Sequence, residues 1–270
     1  MNDSKQKEVE KYLAKPEIHQ QWISKYRTAE NDKFFKHLFD YIAHVLNAPK
    51  NSIILDAGCG TCAHSIRLAE RGFMVRAVDF SENVLKEAEA NIKDKGFETK
   101  INIQQENILS LSFKDETFSY ILSWGVLMHI PVLETAISEL TRILKPGGIL
   151  VIGEGNMHSL QSIILRNLKR FLGKEKTIVK KEPAGIEHWK STSTGTLLTR
   201  ETNMQWLIER LKSKQLTVIK RVAGQFTEVY IKVSSPLLKY LIHSFNNFWF
   251  QYIKIPYPAF GNLLILQKEK

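Results

Sequence analysis

Two cysteines, no long apolar run and few acids in its second half set the first limits on this chain of 270 residues. Cys59 and Cys62 stand three positions apart, too few to build a disulfide framework. That spacing also suits a redox pair or half of a metal site, but no second Cys/His pair at ligand spacing follows. The pair therefore reads as filler of a tight loop, and no metal is expected. No stretch approaches the ~18 consecutive apolar residues of a membrane-spanning helix. The polar start, Met1-Asn2-Asp3-Ser4-Lys5-Gln6, has no apolar core of a secretory signal, which predicts a cytoplasmic protein.

Acids are scarce in one half only. The net charge is +10, yet residues 1–154 carry 19 Lys+Arg against 21 Asp+Glu, while residues 155–270 carry 19 against 7. The whole excess thus lies in the second half. A solvated basic surface explains it, and so does an anionic partner: a phosphorylated substrate, lipid headgroups or nucleic acid. With 43% hydrophobic residues the chain can bury one large core, with or without a subdomain.

What is present is a regular alternation. Residues 8–46 have helical periodicity, broken at Pro49-Lys50-Asn51. Strands are predicted at Ser52–Ala57, Phe73–Asp79, Ile101–Gln104, Phe118–Ser123 and Ile149–Gly153, with helices at Cys62–Arg71, from Ser81 to Lys95, and at Val132–Leu144. Ser81 suits a helix cap, and Gly72 and Gly96 suit helix ends. A helix from Thr199 to Lys214 and strands near Leu216–Val222 and Asn262–Gln267 complete the pattern. The prediction is an α/β fold: a Rossmann-like doubly wound sheet, mostly parallel with an antiparallel last strand and helices on both faces. Residues 1–50 form a helical cap, 51–154 and 199–270 the nucleoside-binding domain, and 155–198 and 234–258 insertions acting as a substrate lid.

The run Ile53-Ile54-Leu55-Asp56-Ala57-Gly58-Cys59-Gly60-Thr61 ends a buried strand in an acid and two glycines. Gly58 and Gly60 let the backbone turn tightly and approach a ligand without a Cβ in the way. Asp56 would repel a pyrophosphate but can accept from a cationic amino-acid group, and Asp79 at the next strand tip can accept from both ribose hydroxyls. Together with Trp124-Gly125-Val126 and Leu144-Lys145-Pro146-Gly147-Gly148, this order resembles the class I S-adenosylmethionine-dependent methyltransferases from Ser52 to Gly153, of the small-molecule or glycan kind. The resemblance implies S-adenosylmethionine as cofactor and S-adenosylhomocysteine as product. It implies that Asn107 and Ile108 flank the adenine, with Asn107 in place of the usual acid, and that Cys62 replaces a third glycine. Ser123 and Trp124 join Gly58, Cys59, Gly60 and Phe80 as cofactor contacts. The segment Trp22–Asp40 would cover the methionine end, with Tyr26 and Arg27 at its carboxylate.

Methyl transfer needs alignment, desolvation and a base only for a protonated nucleophile. His129, just after the fourth strand, and Glu154, at the tip of the fifth, are the candidates; His129, His158, His188 and Trp189 are the candidate substrate contacts. The sequence after the fourth strand, Ser123-Trp124-Gly125-Val126, lacks the Asn/Asp-Pro-Pro-Tyr of amino-group methylation of DNA, and neither cysteine lies there. Residues 187–189, 223–228 and 260–264 are similar to bacterial methyltransferases of surface-glycan and glycolipid clusters. The expected acceptor is therefore a small molecule or lipid-linked glycan, anionic in view of the basic half, methylated at oxygen. RNA methylation and cofactor binding without catalysis are the alternatives. The apolar stripe Leu160, Ile163, Ile164, Leu168, Leu172 suits a packed lid helix or one lying on an anionic bilayer, which would make the protein peripheral to a membrane. The aromatics of 234–258 read as core.

Overall fold

The apolar run before the glycines forms the centre of a seven-stranded sheet. In the computed structural model, residues 2–15, 17–18, 29–171, 178–192, 195–228 and 235–270 are described. The chain runs through α1 (Asn2–Leu13), α2 (Ala29–Leu46), β1 (Ile53–Ala57), α3 (Ala63–Glu70), β2 (Met74–Asp79), α4 (Glu82–Lys95) and β3 (Ile101–Gln105). It continues through β4 (Phe118–Trp124), a 3-10 turn (Leu127–His129), α5 (Leu133–Ile143), β5 (Leu144–Gly155) and α6 (Leu160–Phe171). Then follow β6 (Ile178–Glu182), β7 (Gly185–Thr192), β8 (Gly195–Thr202), α7 (Met204–Lys212), β9 (Leu216–Ala223), α8 (Pro236–Phe248), a π turn (Trp249–Ile253) and β10 (Gly261–Lys268).

The sheet order is β3-β2-β1-β4-β5-β10-β9, parallel from β3 to β5, with β10 antiparallel to both β5 and β9. This is the predicted Rossmann-like arrangement. Ile54, Leu55 and Ala57 are fully buried, as a strand covered on both faces requires. Phe34, Leu38 and Leu68 pack on one face of the sheet, and Ile137, Leu140 and Leu207 on the other. Strand order reverses between β1 and β4, so the crevice for a ligand opens at their carboxyl ends.

Four elements differ from expectation. The first helical region is two helices, α1 and α2. Helix α1 ends at Leu13, before Pro16, whose ring disfavours helix at the preceding residue. Residues 178–192 and 195–202, expected as loop and the start of a helix, form an antiparallel sheet β6-β7-β8. Its strands are short and carry many polar residues, with little apolar alternation to betray them. Gly185 fits there because a Cβ would lie 2.1 Å from the Glu201 carbonyl oxygen. Helix α7 starts at Met204, where the Asn203 side chain accepts from Trp206 N–H at 3.3 Å, and Thr199 lies in β8. Finally, α8 exposes Phe245 and Phe248, expected in the core, while Phe250 in the turn that follows is buried there. Among the described residues, no helix is long and apolar enough to cross a membrane.

Candidate functional site

The carboxyl ends of β1, β2, β4 and β5 open into a cavity of about 610 Å³. Gly58, Cys59, Gly60 and Thr61 line it, with Asp79, Phe80, Asn107, Ile108, Trp124, His129 and Glu154. Gln6, Val9, Glu10 and Leu13 of α1 and Leu197 and Thr199 of β8 also line it.

The glycine loop is fastened to β2 from both sides. Gly58 and Cys59 N–H both donate to the Val78 carbonyl, at 2.8 and 2.9 Å. Asp79 then uses one carboxylate oxygen for Gly60 N–H and the other for Ser81 N–H, each at 3.0 Å. Gly58 has φ +86, and a Cβ there would sit 2.4 Å from Val126 Cγ2. Gly60 has φ +52 with nothing within 4 Å of a Cβ, which leaves an open cradle in the cavity wall. Cys62 caps α3 with φ 61, so the third glycine position carries a side chain in a left-handed conformation that costs about 1–2 kcal/mol.

Several candidates sit differently from expectation. Asp56 is buried and absent from the cavity wall, and its carboxylate accepts from Ser65 Oγ at 2.6 Å. Burial pushes it up to about 7, helped by the nearby Asp79 charge and opposed by the Ser65 hydrogen bond. Asn107 lines the cavity, but its side chain is engaged: Nδ2 donates to Glu10 of α1 and Oδ1 accepts from Leu109 N–H, each at 3.0 Å. Ser123 is buried outside the wall. His158, His188 and Trp189 also lie outside it. His188 Nε2 is 2.9 Å from Glu201, and Trp189 packs against α1 while donating to Glu187 at 2.9 Å. Tyr26 and Arg27 lie outside the described residues.

Cys59 and Cys62 are free and buried. The hydrogen bond to Cys62 and then burial push the Cys59 thiol well above its ordinary value. Among the described residues, no group of three or more His, Cys, Asp or Glu could hold a metal ion.

The other end of the cavity is built around the turn Leu127–His129. The ring Nδ1 of His129 is 2.7 Å from the Leu198 carbonyl oxygen of β8. A carbonyl can only accept, so Nδ1 carries the proton and the basic lone pair of the neutral ring is on Nε2. Glu154 accepts from Leu127 N–H at 2.9 Å through one oxygen. Its other oxygen is buried with no hydrogen-bond partner among the described residues, and burial pushes the carboxyl up to about 8. Arg200, 2% exposed, donates from Nη1 to the Leu127 and Ile130 carbonyls at 2.9 and 3.0 Å. Its Nη2 reaches Glu187 at 2.7 Å. The turn is thereby held by two buried groups, the Glu154 carboxyl and the Arg200 guanidinium.

Part of the wall gave no sequence signal. His64 lies 5.1 Å from the rings of Phe35 and Phe39 and 5.5 Å from Trp124, and burial, then the Arg67 charge, hold it well below its ordinary value. This neutral imidazole in an aromatic cluster, with Arg67 beside it, forms one flank of the cavity. The residues come from α2, α3 and β4, which only the tertiary fold brings together.

A family described as a methyltransferase domain matches residues 48–228. The demethylmenaquinone methyltransferase of Bacillus subtilis (strain 168) is 34% identical over 115 residues, which cover 42% of this chain and 49% of that one. The chain spans about half the length of the first curated relatives it matches. Among solved structures, a protein of Pyrococcus horikoshii OT3 superposes with a TM-score of 0.61 at 18% identity, covering 90% of this chain and 93% of that one. The cyclase SpnF superposes with a TM-score of 0.58 at 18% identity, covering 87% and 80%. These two likenesses speak for the fold alone.

Proposed function

Since the chain belongs to the class I S-adenosylmethionine-dependent methyltransferase family, we propose that it transfers the cofactor's methyl group to an oxygen of an apolar small molecule or lipid-linked glycan. The observation that carries this reading is His129, pinned at Nδ1 and facing the same cavity as the glycine loop.

The residues present fit the cofactor. Gly60 leaves the cradle open, and Asp79 lines the cavity at the strand tip, where a carboxylate suits ribose hydroxyls. Glu10, Asp79, Glu106 and Glu228 face the cavity, and Arg67 is its one Lys or Arg among the described residues. That balance favours a cationic ligand.

When bound, the cofactor supplies an electrophilic methyl on a positive sulfur; displacement returns the bond electrons to sulfur and leaves S-adenosylhomocysteine. The chain's part is to align the acceptor, exclude water and take the hydroxyl proton. His129 Nε2 takes that proton, because Nδ1–H is committed to Leu198. Glu154 is a positioning residue: burial keeps its carboxyl largely neutral near pH 7, and it holds the turn that presents His129.

Val9, Leu13, Ile108, Met128, Ile130 and Phe260 make much of the wall apolar, which suits an apolar acceptor. The name of the Bacillus relative also points to a small-molecule acceptor. The cavity carboxylates disfavour a phosphate-rich acceptor such as RNA, so the basic excess serves another surface. Incubation with methyl-labelled cofactor and total lipid extract tests this. Label should enter the organic phase; label entering RNA instead, or cofactor binding with no transfer to any fraction, would overturn it.

A further inference from the structure

Helices α6 and α8 turn polar residues inward and apolar stripes outward. In α6, Leu160, Ile163, Ile164, Leu168 and Phe171 recur at helical spacing and are exposed, Phe171 at 88%. On its inner side Ser162 is 4% exposed, and Arg166 is bound to Glu201 and the Met157 carbonyl. In α8, Leu237, Leu238, Leu241, Phe245 and Phe248 are exposed, while His243 and Asn246 are buried. A helix serving only to cover a core would show the reverse pattern.

Both helices are tied to one stretch of chain. Glu228 N–H donates to Gln161 of α6 at 2.6 Å, and Thr227 N–H donates to Asn246 of α8 at 2.8 Å. Gln225 and Glu228 of this stretch also line the cavity. Exposed Tyr240, Tyr252 and Tyr257 add rings with an apolar body and a polar tip, suited to a membrane–water boundary. Charge agrees: besides the Glu201-bound Arg166, the sequences of α6 and α8 hold Lys169, Arg170 and Lys239 and no Asp or Glu.

We propose that α6 and α8 form a docking surface for an anionic lipid leaflet, their apolar stripes entering the headgroup boundary and the surrounding cations meeting the lipid charge. A second copy of the chain would set like charges together across this face, which disfavours self-association. The surface itself stands apart from the methyl-transfer reading. Its added meaning, that the acceptor reaches the cavity from the membrane side, rests on that reading.

Co-sedimentation of the full chain with phosphatidylcholine vesicles, with and without phosphatidylglycerol, tests the surface without cofactor or acceptor. Binding should be about tenfold or more tighter to the anionic vesicles and should weaken as salt rises. The pairs Ile164→Ser/Leu168→Ser and Leu237→Ser/Leu241→Ser should each weaken it about tenfold or more, with thermal unfolding little changed. Lys239→Glu, at an exposed site, should weaken it about fivefold and serves as the check if a serine pair fails to fold. Failure to bind anionic vesicles, undiminished binding by these variants, or a concentration-dependent dimer that they dissolve would each overturn the proposal.

Discussion

The His129 ring and the Leu198 carbonyl oxygen lie 2.7 Å apart, joining the turn after β4 to the small antiparallel sheet. The insertion thus does more than cover the cavity, because β8 fixes which nitrogen of the histidine carries the proton. His129→Gln should lower the methyl-transfer kcat about 10²–10⁴-fold, the range lost with a positioned base. Its affinity for S-adenosylhomocysteine should be unchanged. Single-turnover transfer and calorimetry separate the two, and an unchanged kcat would remove His129 as the base.

Arg200 and Glu187 form a buried ion pair that also feeds the turn. Arg200→Leu leaves the Glu187 charge buried and should cost about 3–5 kcal/mol in urea unfolding. The double change Glu187→Leu/Arg200→Leu should cost less than the sum of the singles. Activity should stay low in the double variant, since the Leu127 and Ile130 carbonyls still lack their donor. Strictly additive stability effects would show that the pair is not coupled.

The Glu154 carboxyl sits near 8 in the folded chain against an ordinary value of 4.5. Between those values the folded state holds a proton that the unfolded state has released. This contribution therefore loses stability as pH rises through that window, and levels off above about 8. Glu154→Gln should thus gain stability relative to the parent from pH 5 to pH 8, measured by denaturant unfolding without cofactor. A pH-independent difference would contradict the assignment.

Gly58→Ala meets two obstacles, the positive φ and the Val126 side chain. It should lose cofactor binding and about 1–2 kcal/mol or more of stability. Adding Val126→Ala should restore only part of the loss, because it relieves the clash and leaves the backbone strain. Full restoration, read by thermal unfolding and calorimetry, would mean that φ at this position costs nothing.

The β1 loop, Asp79 at its strand tip and the alternation of strands and helices were legible because each is a local pattern, such as an apolar run closed by glycines or an acid. The approach of α1 to the cavity was not. It is made by contacts far apart in sequence, the packing of Val9 and Leu13 on Trp189 and Leu198 and the Glu10–Asn107 hydrogen bond across 97 positions, which no local period encodes. The sheet β6-β7-β8 was not legible because short, polar strands such as Gly185–Thr192 and Gly195–Thr202 lack a clear apolar alternation. Periodicity revealed the apolar stripe of α6, but period alone does not say which way a stripe faces. In α8, burial of Asn246 in place of Leu241 or Phe245 is a tertiary outcome.

S-adenosylmethionine is expected to bind where Asp79 joins the glycine loop to β2. The direct test is calorimetric titration of S-adenosylhomocysteine into the parent chain and Asp79→Ala, with circular dichroism confirming the fold. The parent should bind, and Asp79→Ala should lose about 100-fold or more in affinity, since the change removes both the ribose acceptor and the clamp on Gly60 and Ser81. Equal affinity in the folded variant would contradict the account.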